Sequence, residues 1–80
     1  MSRRRRLTWQ DGVNVKPGDR LNYSAGLDEH YREAYVTVTR VGSTGCMVNV
    51  VEIVTKGDKC EISEGDNIVA GWDELEITVL

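Results

Sequence analysis

Two runs of alternating β-branched residues, joined by a glycine-bounded turn, set the tightest limit on what this chain can fold into. Tyr35-Val36-Thr37-Val38-Thr39-Arg40-Val41 repeats apolar and polar residues with a period of two. Gly42-Ser43-Thr44-Gly45 follows, then Cys46-Met47-Val48-Asn49-Val50-Val51-Glu52-Ile53-Val54. Successive side chains of a strand point to opposite faces, so this period describes a half-buried strand and not a helix. Val36 and Val38 are expected to face the core, with Thr37 and Thr39 in solvent. The second run is apolar in both phases, which suits a long, curved strand whose two ends serve different packing layers. The segment between the runs reads as a hairpin turn.

The rest of the chain follows the same style. Asp28 to Ala34 is too short for a stable helix and lacks an apolar stripe, so it is expected to be a long loop with a single helical turn. Lys16-Pro17-Gly18-Asp19 is a turn ahead of a short strand, Arg20 to Tyr23. Asp11-Gly12 can close a small hairpin between Leu7–Gln10 and Val13–Val15. Lys56-Gly57-Asp58 leads into a predicted strand at Lys59 to Ile62, and Glu64-Gly65-Asp66 into another at Asn67 to Ala70. Trp72 to Leu75 reads as a tight helical turn before a last strand, Glu76 to Leu80. The recurring Gly-Asp pairs are turn chemistry and not an internal repeat. The apolar phase predicts a core of Val36, Val38, Val48, Val50, Ile53, Ile68, Val69 and Ile77. Five to seven short antiparallel strands with turns about every 8–12 residues specify an all-β barrel or sandwich, and 80 residues favour the small barrel.

A Pro-Gly-Asp entry, a long first loop, two long strands joined by a tight turn, and a one-turn helix before the last strand resemble the SH3-like barrels. The Tudor branch is the most similar, through Val69 to Leu75 followed by Glu76 to Val79. The likeness spans residues 16 to 80 and rests on spacing and turns, without a signature motif. It implies a small barrel that binds a partner, and fold likeness of this kind does not itself assign function.

Charge divides the chain in two. The net charge is −3, but four of the ten basic residues are Arg3, Arg4, Arg5 and Arg6. From Leu7 to Leu80 six basic residues face thirteen acidic ones, a balance of −7. Residues 1–6 are therefore expected to be a disordered basic tail, and residues 7–80 a single acidic domain. A domain of this size buries roughly 60–65% of its unfolded surface, so a second protomer can help to cover it and a homodimer is one expected assembly. No apolar run reaches the length of about 18 residues that a membrane span needs. The arginine run is followed by Leu7-Thr8-Trp9-Gln10-Asp11 and not by an apolar signal segment, so the expected location is intracellular and cytoplasmic.

Chemistry-bearing residues are few. Cys46 and Cys60 are too few for a disulfide scaffold and read as small core residues. With His30 the only histidine, no metal site and no cofactor are expected. His30 has no identifiable Ser or Cys partner, there is no phosphate-binding glycine loop, and the expectation is a binding protein and not an enzyme.

The aromatic residues point to where binding would occur. Tyr23, Tyr31, Tyr35 and Trp72 fall in the first barrel strand, the long loop, the start of the second strand and the turn before the last strand. In a barrel those segments are expected to meet at one end. By the resemblance, similar positions in Tudor barrels form a cage for methylated Lys or Arg, and in SH3 domains a patch for proline-rich peptides. Asp28, Glu29, Glu33 and Asp73 would favour a cationic protein or peptide partner. The competing expectation is that Trp72 and Tyr35 cap a small core. Arg3 to Arg6 could instead hold nucleic-acid phosphates, or the acidic body could act as an inhibitor or nucleic-acid mimic of the kind found among small phage proteins.

Overall fold

The two alternating runs become the longest pair of strands in an antiparallel six-stranded sheet. The computed structural model describes residues 3–6 and 14–79, giving the backbone course alone at 3–6 and 78–79. Its strands are β1 (Arg3–Arg6), β2 (Arg20–Ala25), β3 (Arg32–Val41), β4 (Gly45–Lys56), β5 (Asn67–Gly71) and β6 (Leu75–Val79). They lie in the order β1-β6-β2-β3-β4-β5, every neighbouring pair antiparallel. The only helical pieces among the described residues are two 3-10 turns, Asp28–His30 and Trp72–Glu74, the second directly before β6. The chain is an all-β domain, as its patterning requires.

The β3–β4 register explains why β4 is apolar in both phases. Val36 pairs with Val50 and Val38 with Val48, and all four side chains are buried. The register slips on either side of Tyr35, leaving Val51 and Val54 as extra residues on β4. These β-bulges turn both valines outward instead of into a second packing layer, and they bend the strand. Buried Leu21, Tyr23, Ala34, Cys46, Ala70 and Leu75 join the four valines, with Trp72 and Ile62 adding to the cluster. No helix or second sheet covers this face among the described residues. The bent sheet must therefore curl over its own apolar face, an arrangement compatible with a small barrel.

Two Gly-Asp turns brace the hairpin in the same way. In the first, Asp19 N–H donates to Lys16 O (3.1 Å), Lys16 N–H donates to an Asp19 carboxylate oxygen (2.9 Å), and Gly18 has φ +97°. In the second, Asp66 N–H donates to Ser63 O, Ser63 N–H donates to Asp66 Oδ2, and Gly65 has φ +90°. Gly18 and Asp19 then exchange hydrogen bonds with Val38, and Gly65 and Asp66 with Val50. One turn thus seeds β2 against β3, and its equivalent seeds β5 against β4. The positive φ at the third turn position is what selects glycine there.

Four expectations change. Lys59 to Ile62 is not a strand: its amides serve a turn, Cys60 N–H to Gly57 O (3.1 Å), and a contact with the loop, Lys59 N–H to Glu29 O (3.0 Å). Val69 is 74% exposed, because Ile68 and Ala70 take the inward phase of β5 and adjacent residues cannot share a face. Ile77 is also exposed, since β2 pairs with β6 only at Leu75 and Glu76 and the core ends there. Arg3–Arg6, expected as a free tail, runs as β1 along the outer edge of β6, from Arg3 opposite Val79 to Arg6 opposite Glu76. Strand pairing uses backbone amides, which arginine supplies as well as any residue. Ile53 and Ile68 are half-buried against the core. The hairpin predicted around Asp11-Gly12 falls on residues 7–13, outside those described. No helix among the described residues is long and apolar enough to cross a membrane.

Candidate functional site

The four rings expected to cluster do not. Tyr23 on β2 stands opposite Ala34 and is buried, while Tyr35, next to Ala34 on β3, stands opposite Asn22 and projects from the other face. Trp72 is buried too, its indole N–H donating to Ser43 O (3.4 Å) at the β3–β4 turn. Tyr31 lies at the opposite end of the ten-residue β3, half-buried, with its carbonyl accepting the Gly57 N–H. Those ends are on the order of 30 Å apart along the strand. The four rings therefore form no shared patch. A domain with few large apolar side chains draws its biggest rings inside, and Tyr23 and Trp72 are both in the core.

Tyr23 instead anchors a cation. Its hydroxyl accepts a hydrogen bond from Arg32 Nε (3.2 Å), and the guanidinium carbon lies 5.8 Å from the ring centroid. That hydrogen bond outweighs partial burial and pushes the Arg32 pKa up, so the charge is fixed at all working pH. Arg32 Nη1 also donates to His30 O (3.2 Å).

This pair lines an open groove of about 440 Å³. Tyr23, Ile62 and Ile68 supply its apolar lining, His30, Arg32 and Lys59 its basic groups, and Glu61 and Asp66 its carboxylates. Lys59 is already engaged by Glu29 at 3.2 Å in an exposed ion pair. Ile68 and Val69 border the groove and no β4 residue does, so it runs along the side of β5 that faces away from β4.

The hydrogen-bond phase of β5 decides what that side offers. Val50 N–H donates to Asp66 O, which sets Asp66, Ile68 and Ala70 as the residues bonded to β4. The amides and carbonyls of Asn67 and Val69 consequently point outward. The Gly71 N–H is taken by Glu74 Oε1 (2.9 Å). Val69 also borders a second groove of about 250 Å³ near the β3–β4 turn, with Val41 and Met47, its cross-strand neighbour. A third groove, of about 350 Å³, holds Tyr35 with Arg20, Thr37, Val51 and Glu52.

The remaining candidates are dispersed. Arg3 to Arg6 lie across the sheet from β5, at the far edge of the strand order. Cys46 is buried, and burial pushes its thiol pKa up. His30 and Cys60 border one groove, with no hydrogen bond between them among the described residues. No group of three or more His, Cys, Asp or Glu placed to hold a metal occurs among the described residues. The β5 edge escaped the sequence reading, although Asn67-Ile68-Val69-Ala70-Gly71 signals it as a short strand with no charge and no proline. No known family model, curated protein or solved structure matches this chain.

Proposed function

We propose that this chain is a non-catalytic protein- or peptide-binding module on a small SH3- or Tudor-like barrel. The observation that carries the reading is the exposed apolar pair Val69 and Met47, cross-strand partners that line one groove. Scattered exposed valines need no explanation, but an apolar pair that continues to Val41 and into a concave surface is what a partner would cover. A partner held by such a surface should be lost on Met47→Glu, which changes an exposed side chain. The test is affinity capture from the native cell with wild-type and Met47→Glu proteins of matched melting temperature. A protein retained by the wild type and lost by the variant supports the reading. Retention of nothing above a control resin defeats it.

The nucleic-acid reading is weaker on one specific point. From Leu7 to Leu80 six basic residues stand against thirteen acidic ones, so a phosphate backbone meets net repulsion from the body of the domain.

A further inference from the structure

We infer that the outer edge of β5 docks an extended, cationic segment of a partner protein, which adds to the sheet as a further strand. The inference rests on the binding-module reading and names the surface and the class of partner. β5 ends the strand order, and its Asn67 and Val69 backbone groups point away from β4 into the groove side. Edge strands that avoid pairing carry lysine, proline or a covering loop. β5 has neither of those residues, and beside it lies a groove lined also by the loop residues Lys59 to Ile62. The groove gives an added strand room for side chains against Ile62 and Ile68 on one face, while Val69 meets them on the other.

Charge identifies the occupant. Residues 60–74, which contain β5 and its flanks, hold Glu61, Glu64, Asp66, Asp73 and Glu74 and no basic residue. An antiparallel second copy centred on Val69 would set Asp66 against Trp72 of its mate, next to Asp73, and place acid beside acid. A segment with basic residues at its ends meets those carboxylates favourably. Arg32 and Lys59 line the groove as well, so the basic residues of the segment belong at its ends, beside the acidic flanks, and its middle to apolar residues. The sheet already contains one such addition, since the arginine-rich β1 lies along β6.

The test uses two labelled, end-blocked peptides, RVTVTVR and EVTVTVE, titrated against the full chain. The basic peptide should bind at least about tenfold more tightly, and saturating amounts should slow amide exchange at Asn67 and Val69. Val69→Pro removes an outward N–H and no ladder bond, so it should fold and lose binding about tenfold or more. If that variant fails to fold, the exchange measurement on the wild type decides. Equal binding of the two peptides, or unchanged exchange at Asn67 and Val69, overturns the inference. So does concentration-dependent protection of those amides without peptide, which would assign the edge to a second copy. If the peptides fail while Met47→Glu still loses a captured partner, strand addition falls and the binding-module reading stands.

Discussion

Gly45 and Gly18 are glycines for different physical reasons, and one substitution separates them. A Cβ on Gly45 would fall on the Ala70 carbonyl oxygen and within 2.8 Å of Gly71 Cα, so β4 and β5 could not keep their spacing. Gly18 has open space around its missing Cβ but holds φ +97°. Gly45→Ala should cost about 2–3 kcal/mol by overpacking, and Gly18→Ala about 1–2 kcal/mol by backbone strain alone. Thermal melts of the two variants check the order, and equal shifts would contradict it. The two thiols differ in a comparable way. Burial raises the Cys46 pKa, so the folded state holds that proton more tightly than the unfolded chain does. Its contribution to stability is full below the unfolded value of about 8.5 and is lost as pH rises above it. At pH 8 a thiol reagent should label half-buried Cys60 first and Cys46 only slowly, both becoming fast in denaturant. Equal rates in the native protein would show that Cys46 is not shielded.

The β3–β4 hairpin shows how far patterning reaches along a strand. Val50 is 1% exposed and Val51 55%, though they are neighbours of one residue type in one apolar run. Val50→Asp places an unpaired charge in the core and should unfold so small a domain. Val51→Asp alters an outward bulge residue and should change stability by about 0.5 kcal/mol or less. Circular dichroism melts of both variants read this directly, and a folded Val50→Asp protein would mean that the strand phase is wrong. The run Val36 to Val50 was legible because a regular period fixes both phase and partner. The bulges were not, because they arise from a register that only the partner strand defines. Val69 was misplaced for a simpler reason: Ile68 and Val69 are adjacent, so only one of them can face the core. The turns were the most legible elements, since Pro17-Gly18-Asp19 and Glu64-Gly65-Asp66 need the positive φ that glycine provides.

As a whole, the described residues form one curled sheet that ends in β1 on one side and β5 on the other, β1 lying along β6. The aromatic site was illegible in the sequence because spacing locates a ring along a strand but not on which side of the curl it ends. Tyr23 and Tyr35 differ by one register step and sit on opposite faces. The arginine run is set by a related effect: its charge argues for solvent, while its backbone pairs along the outer edge of β6. That pairing gives β1 a structural role, which deletion of residues 1–6 tests. Without β1, the outer amides of β6 beyond Glu76 lose their partners, because β2 reaches only Leu75 and Glu76. Ile77, already exposed, would then lie on a bare edge with Leu75 as its buried neighbour in phase. Bare apolar edges pair with other chains. The truncated protein should melt lower by a few degrees, on the order of 1 kcal/mol, and exchange its Ile77 to Val79 amides faster. It should also self-associate at concentrations where the full chain does not, as read by light scattering. Unchanged exchange at Ile77 to Val79 would show that β1 does not cover the edge in solution, and the arginine run would return to being a tail available for other partners.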